Sequence, residues 1–63
     1  MTQKELSYLE DAVSHECIMI KVLDDTKNKL TDQELVNFVS NEVNVHETLK
    51  QNLLNLLEEK ANE

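Results

Sequence analysis

The amino-acid sequence predicts an all-α protein built as an antiparallel two-helix hairpin. Its 63 residues contain no glycine and no proline, and only two of them are aromatic. Tight β-turns depend on glycine and proline, so a β-sheet fold with short turns is disfavoured. Apolar residues instead recur at alternating spacings of three and four, which is typical of helices with one packed face. Two capping motifs divide this pattern, and we expect one helix after each of them.

The first helix is predicted over residues 3–27. Thr2 and Glu5 match a capping box, in which the Thr hydroxyl and the Glu carboxylate accept hydrogen bonds from free backbone N–H groups. The helix should end near Lys27, because lysines suit the negative end of a helix and Asn28 can adopt the left-handed cap conformation. The residues expected to pack against the second helix are Leu6, Leu9, Val13, Ile20, Leu23 and Leu30, interrupted by Glu16.

A turn over about residues 28–31 and a second helix over about residues 32–60 should follow. Thr31 begins a second capping signature that places acidic residues in the first turn, where the helix dipole favours them. A connection of about four residues forces two long helices into an antiparallel hairpin, so residues 1–63 are expected to form one unit. The predicted packed face of the second helix comprises Leu35, Val39, Leu49, Leu53 and Leu56, interrupted by Glu42 and His46.

The three ionisable residues that interrupt the packed faces are predicted to lie at one height. With the turn at its predicted place, residues whose numbers sum to about 58 or 59 lie level across the hairpin. Leu9 then faces Leu49, Glu16 is level with Glu42, and His46 lies one turn along the same face. A buried carboxylate without a partner is costly, so these groups must pair, stay hydrated or bind a cation.

A second apolar side of the first helix predicts self-association. One partner helix cannot cover both sides, and 63 residues bury too little surface to be comfortably stable as a lone pair of helices. Two hairpins related by a two-fold axis would form a homodimer with the architecture of a ferritin-like four-helix bundle. The residues of this second stripe are Tyr8, Ala12, Cys17, Ile18, Met19 and Val22.

Charge and composition argue against several classes of function. The net charge is -7 and the six basic residues are scattered, so we expect no nucleic-acid partner and no anionic membrane surface. No apolar run approaches the roughly 20 residues that cross a bilayer, and the N-terminus lacks a signal-peptide apolar region, so a cytoplasmic location is expected. Cys17 is the only cysteine, and no arrangement typical of nucleophilic catalysis is present.

Two interpretations of the central polar residues stay open. In a two-fold dimer, two copies of Glu16, Glu42 and His46 supply four carboxylates and two imidazoles, the ligand set of ferritin-like di-metal proteins. These ligands suit iron or manganese, would also accept zinc, and could support ferroxidase or peroxide chemistry. Glu42 and His46 are four residues apart, however, whereas the ferritin-like motif spaces Glu and His by three. The alternative is an ion-pair network that fixes register and partner without any metal.

Two segments, LSYLEDAVSHE in the first helix and TDQELVNFVSNEVNVHETLKQNLLNLL in the second, resemble the spore coat protein F family of clostridia and bacilli. The resemblance runs from about Thr2 to about Leu57. It implies a ferritin-like (rubrerythrin-like) half-bundle in a structural protein of sporulation, with spore coat proteins as partners and the spore coat as an alternative location. Glu16 and His46 match family positions, whereas Glu42 matches only after a one-residue shift. The chain also lacks the aromatic and glycine-rich C-terminal tail of larger members.

Three functions are therefore expected, in order. The first is a non-enzymatic structural or assembly protein that acts through homo-oligomerisation. The second is a metal-binding bundle with Glu16, Glu42 and His46 as ligands. The third is a small acidic regulator whose second stripe docks on another protein as a helix in a groove.

Overall fold

The computed structural model describes residues 1–61 and contains two helices packed against each other, which confirms the predicted all-α hairpin. Helix α1 spans Gln3–Lys29 and helix α2 spans Gln33–Ala61. The hairpin is long and flat, measuring 47 × 15 × 10 Å. Neither of its two described helices is long and apolar enough to cross a membrane. The last two residues of the predicted unit 1–63 lie outside the described residues.

The start of α1 is held by the predicted capping box. The Thr2 N–H donates to Glu5 Oε1 at 2.8 Å, and the Glu5 N–H donates to Thr2 Oγ1 at 3.1 Å. Two backbone donors that the helix itself leaves free are thereby satisfied. The prediction was reliable here because all participating groups lie within four consecutive residues.

The end of α1 differs from the prediction. The helix continues two residues beyond Lys27, and Asn28 lies inside it. The chain leaves the helix at Leu30, which is extended (φ -89°, ψ 142°) and whose N–H donates to the Lys27 carbonyl at 3.2 Å. No residue within 1–61 has a positive φ, so the prediction of a left-handed cap at Asn28 is wrong. An extended exit through the half-buried Leu30 keeps its side chain at the helix interface and makes such a cap unnecessary.

The cap of α2 is Asp32 rather than the predicted Thr31. Asp32 Oδ1 accepts the N–H of Glu34 at 2.9 Å and the N–H of Leu35 at 3.2 Å, and the Asp32 carbonyl accepts the N–H of Val36 at 3.0 Å. A carboxylate in this position is also stabilised by the positive end of the helix dipole, whereas an uncharged threonine hydroxyl is not. The connection between the helices is therefore residues 30–32.

The register of the two helices differs from the predicted one by about one turn. His46 contacts Glu16, so residues whose numbers sum to about 62 lie level across the hairpin. The difference arises because α1 ends later and α2 begins later than predicted, which moves the centre of the turn to about residue 31. Leu9 is therefore level with Leu53 rather than with Leu49. Glu16 is level with His46 rather than with Glu42.

The side of α2 that packs against α1 also differs from the prediction. Val43, 7% exposed, is the one buried residue within 1–61. Leu35 and Leu49 are 50% and 44% exposed, so the prediction that they pack against α1 is wrong, whereas Leu56, 40% exposed, lines a cleft beside Leu9 of α1. The apolar residues of α2 form a stripe too wide for one partner helix, and spacing alone does not tell which edge faces α1. The half-buried residues that surround Val43 on this side are Val36, Val39, Ser40, His46, Lys50, Leu53 and Leu57.

Candidate functional site

A carboxylate and an imidazole meet at the middle of the hairpin. His46 Nδ1 donates to Glu16 Oε2 at 2.6 Å, and the two side chains are 24% and 16% exposed. A bond to a carboxylate that is partly withdrawn from water is stronger than a neutral one. Because the two residues come from different helices, this contact also holds the register of α1 against α2.

Glu42, the third predicted site residue, does not join this pair. It lies one turn before His46 on α2, is half-buried, and forms no hydrogen bond with Glu16 or His46. Across residues 1–61, no three His, Cys, Asp or Glu side chains come close enough together to hold a metal ion. The single hairpin thus brings together two of the three residues that the sequence singled out.

Large apolar side chains are exposed on both helices. The two aromatic residues, Tyr8 and Phe38, are 65% and 64% exposed. The other large apolar side chains of this set are 40% to 60% exposed. We term this set the apolar face; it consists of Tyr8, Ile18, Met19 and Val22 on α1, and Leu35, Phe38, Val45, Leu49 and Leu56 on α2.

The exposed residues of the two helices share one side of the hairpin. Successive residues of a helix are rotated by about 100°. On each helix, counted along its own direction, the exposed apolar residues other than Ile18 lie about 100° from the α1–α2 contact in the same rotational sense, and Ile18 points away from α2. Because the helices run antiparallel, equal rotations bring both stripes to the same side. The exposed apolar residues of both helices therefore share one side of the hairpin, on which His15 and Glu42 also lie.

The opposite side of α2 is polar and is suited to water. Amide side chains pair along it: Gln33 Nε2 donates to Asn37 Oδ1 at 2.8 Å, and Gln51 Nε2 donates to Asn55 Oδ1 at 2.9 Å. Cys17, which the sequence placed in the second apolar stripe, lies on the polar side of α1 by helical rotation and is exposed. The hairpin is therefore amphipathic, with most of its exposed apolar side chains on one side, although Leu54 (37% exposed) lies on the polar side of α2.

Two shallow clefts accompany the apolar face. One of about 280 Å³ is lined by His15, Ile18, Met19 and Val22, so it lies within the α1 half of the face. The other, of about 320 Å³, lies at the open end of the hairpin, lined by Met1, Glu5, Leu9, Leu56 and Lys60. Both are open depressions between exposed side chains, which suits them to receive side chains of a packed partner.

The α1 half of the apolar face was predicted as the second stripe, whereas the α2 half was missed because α2 carries two overlapping apolar patterns. Val36, Val43 and Leu57 follow one pattern and face α1, whereas Phe38 and Val45 follow the other and face away. Both have helical spacing. The position of the turn decides which of the two patterns faces α1, because it fixes the register of the two helices. The turn positions that would select one pattern or the other differ by only two or three residues.

Comparison with known proteins adds no family to this description. No protein-family model matches the chain, and no curated protein or solved structure matches it. The features that bear on function are therefore those of the chain's own residues. They are the Glu16–His46 contact, the half-buried Glu42 and the apolar face.

Proposed function

We propose that this chain is a non-enzymatic structural or assembly protein that acts by self-association into a four-helix bundle. The apolar face is the observation that carries the proposal. Nine large apolar side chains are at least 40% exposed on it, while within residues 1–61 only Val43 is buried. Monomeric proteins rarely expose a contiguous apolar patch of more than a few hundred Å². A face of this kind is typical of a surface that is covered in the working protein.

The size of the face suits a stable dimer. A surface 47 Å long and 15 Å wide covers about 700 Å², close to the roughly 800 Å² that each partner buries in a standard interface. Completing the burial of one large, half-exposed apolar side chain contributes about 1 kcal/mol. Nine such side chains from each copy contribute on the order of 10 to 20 kcal/mol in total, enough to offset the roughly 4 to 15 kcal/mol cost of association.

A second copy of the chain fits the face better than other occupants. The apolar surface runs along both helices, so its complement must be a helical layer of the same length, and the chain itself is such a layer. The net charge of -7 opposes adsorption to an anionic lipid surface. Two copies related by a two-fold axis would form a closed four-helix bundle with both polar sides in water.

Molecular mass in solution tests this proposal. Analytical ultracentrifugation over a range of concentrations should give twice the 7.3 kDa mass of the chain. Phe38→Ser should weaken the dimer by about tenfold or more, because it removes a large apolar contact. Asn44→Ser is the matched control on the polar side of the same helix and should leave the dimer unchanged. A fully helical monomer at every concentration would contradict self-association and favour the regulator that docks on another protein.

The resemblance to the spore coat protein F family supplies a proposed setting for the assembly. In that setting the bundle is a component of the spore coat and packs with other coat proteins. Fractionation of spores of the source organism tests it: the protein should be extracted with the coat layers and be absent from vegetative cells. Detection only in vegetative cytoplasm would contradict the spore setting and leave the self-association proposal intact.

A metal-binding bundle is the second candidate, favoured by the contact between the Glu16 carboxylate and the His46 imidazole. Two copies would add the second pair and both Glu42 side chains, ligands that suit iron or manganese better than zinc. Addition of each metal to chelated protein tests it. A ligand that binds only the folded state raises stability by about 2.7 kcal/mol at a hundredfold excess over its dissociation constant. A metal-specific rise in melting temperature that is lost in His46→Ala would support this candidate, and the absence of any rise would exclude it.

A further inference from the structure

Two polar groups near the apolar face have no hydrogen bond inside the hairpin. His46 uses Nδ1 to bond Glu16, and within residues 1–61 neither His46 Nε2 nor the Glu42 carboxylate forms such a bond. Both side chains are half-buried and lie one turn apart on α2. A second copy on the apolar face would bury them further, and a buried carboxylate without a partner is costly. The packing of the second copy should therefore depend on where these groups find partners.

A two-fold axis can stack two apolar faces in two ways. When the axis is parallel to the helices, α2 lies over α1 of the second copy, and residues at equal height meet. Glu42 is level with residue 20 in the observed register, so its carboxylate would lie against Met19 and Val22 of the partner's apolar face, which offer no hydrogen-bond donor. When the axis is perpendicular to the helices, α2 lies antiparallel over its own copy and the two turns are at opposite ends. His15 of the partner's cleft lies about 7.5 Å along the helix from the height of Glu42 in the first arrangement, whereas the second arrangement can set Glu42 directly opposite His46.

Resting on the self-association proposed above, we propose that the two-fold axis is perpendicular to the helices and crosses α2 near Asn44. His46 Nε2–H of each chain then donates to Glu42 of the partner subunit, and symmetry forms this bond twice. A histidine that carries a proton on each ring nitrogen can bridge Glu16 of its own chain and the partner's Glu42. The central polar residues thus determine how two copies align.

The same alignment matches apolar residues along α2. An axis near residue 44 sets Leu35 opposite the partner's Leu53. A shift of about three residues also pairs leucines, with Leu35 opposite the partner's Leu56. That shift, however, places Glu42 against the partner's Leu49 and leaves the carboxylate unpaired. Apolar contacts alone therefore allow both alignments, and the polar bond selects one of them.

Disulfide trapping between the copies tests the alignment. All variants carry Cys17→Ser, which removes the exposed native thiol. Leu35→Cys with Leu53→Cys should give a covalent dimer under mild oxidation, because a disulfide requires Cα atoms within about 7 Å. Leu35→Cys with Leu56→Cys reports the shifted alignment and should crosslink about tenfold less, the ratio expected from one net hydrogen bond to a charged group.

The role of Glu42 is tested by Glu42→Gln, with Glu47→Gln as the matched control. Glu47 is exposed on the same helix, and its substitution changes the net charge equally. Glu42→Gln should weaken the dimer by about tenfold and reduce the crosslinking preference, because a charged acceptor is lost. Glu47→Gln should neither weaken the dimer nor reduce the crosslinking preference. Circular dichroism at high protein concentration confirms that each variant is folded.

The outcomes separate this inference from the proposed function. A native dimer that crosslinks no better through the Leu53 pair than through the Leu56 pair would overturn the alignment and leave self-association standing. A Glu42→Gln dimer that is as tight as the native one, or tighter, would overturn the bond. A native protein that stays monomeric would overturn self-association and this inference together.

Discussion

Val43 is the one buried side chain within residues 1–61, and it lies on the side of α2 that packs against α1. Val45, two positions along, is 52% exposed and lies on the apolar face. The two valines belong to the same helix, but Val43 faces α1 whereas Val45 faces away from it on the apolar face. They therefore separate the stability of the hairpin from the stability of its self-association.

We predict that Val43→Ala lowers the free energy of unfolding by about 2 kcal/mol through lost burial and a residual cavity. The shift in melting temperature should be similar at low and high protein concentration. Val45→Ala should instead increase the dimer dissociation constant, measured by ultracentrifugation. Equal, concentration-independent effects of the two substitutions would contradict the assignment of Val45 to the interface.

Glu5 gives a second prediction at the scale of one residue. Hydrogen bonds from the backbone N–H of Thr2, and then from its side chain, hold the pKa of the Glu5 carboxyl below its ordinary value of 4.5. A lowered folded-state pKa means that this residue stabilises the helix start above about pH 4.5 and loses that effect as the pH falls through the folded-state pKa. NMR titration should give a Glu5 pKa below 4.5 that rises part of the way back in Thr2→Ala. A value unmoved by Thr2→Ala would mean that its side chain has no part in the shift.

The sequence predicted the type and face of the three central residues, Glu16, Glu42 and His46, but not which of them meet. The sequence predicted that Glu16, Glu42 and His46 interrupt apolar patterns, and Glu16 and His46 do meet. The sequence did not predict that Glu16 is level with His46, because a pattern gives the face of a residue but not its height against another helix. Height depends on the turn, which lies far from all three residues in the chain.

The ends of the helices show the same limit at the scale of an element. The capping box of α1 was predicted because it is local, whereas the cap of α2 was placed one residue early and the end of α1 two residues early. Thr31 and Asp32 are both good capping residues, so composition does not choose between them. The choice depends on where the chain must turn for α1 and α2 to pack.

Substitutions in the turn test the assignment of the α2 cap. Asp32→Ala should lower the free energy of unfolding by about 1 kcal/mol, because two backbone donors lose their acceptor. Thr31→Ala should have a much smaller effect. Asp25→Ala is a control near the negative end of α1, where removal of an acidic side chain should be neutral or slightly stabilising. Urea denaturation measures all three, and an equal cost for Thr31→Ala and Asp32→Ala would contradict Asp32 as the sole cap.

At the scale of the whole molecule, shape and charge oppose each other. The amphipathic hairpin favours stacking of two apolar faces, but each copy carries a net charge of -7. Bringing two acidic copies together costs electrostatic free energy, and this cost falls when salt screens the charges. In the proposed dimer, the balance between these two contributions sets the dissociation constant at a given ionic strength.

We therefore predict that salt strengthens the dimer. Raising the ionic strength from about 0.01 M to about 0.1 M shortens the screening length from about 30 Å to about 10 Å, less than the length of the hairpin. The dimer dissociation constant, measured by ultracentrifugation at both ionic strengths, should fall. The salt dependence should be weaker in a variant with Glu47→Gln and Glu58→Gln, two exposed positions away from the apolar face. A dimer that weakens with added salt would mean that ion pairs between the copies, rather than the apolar face, hold it together.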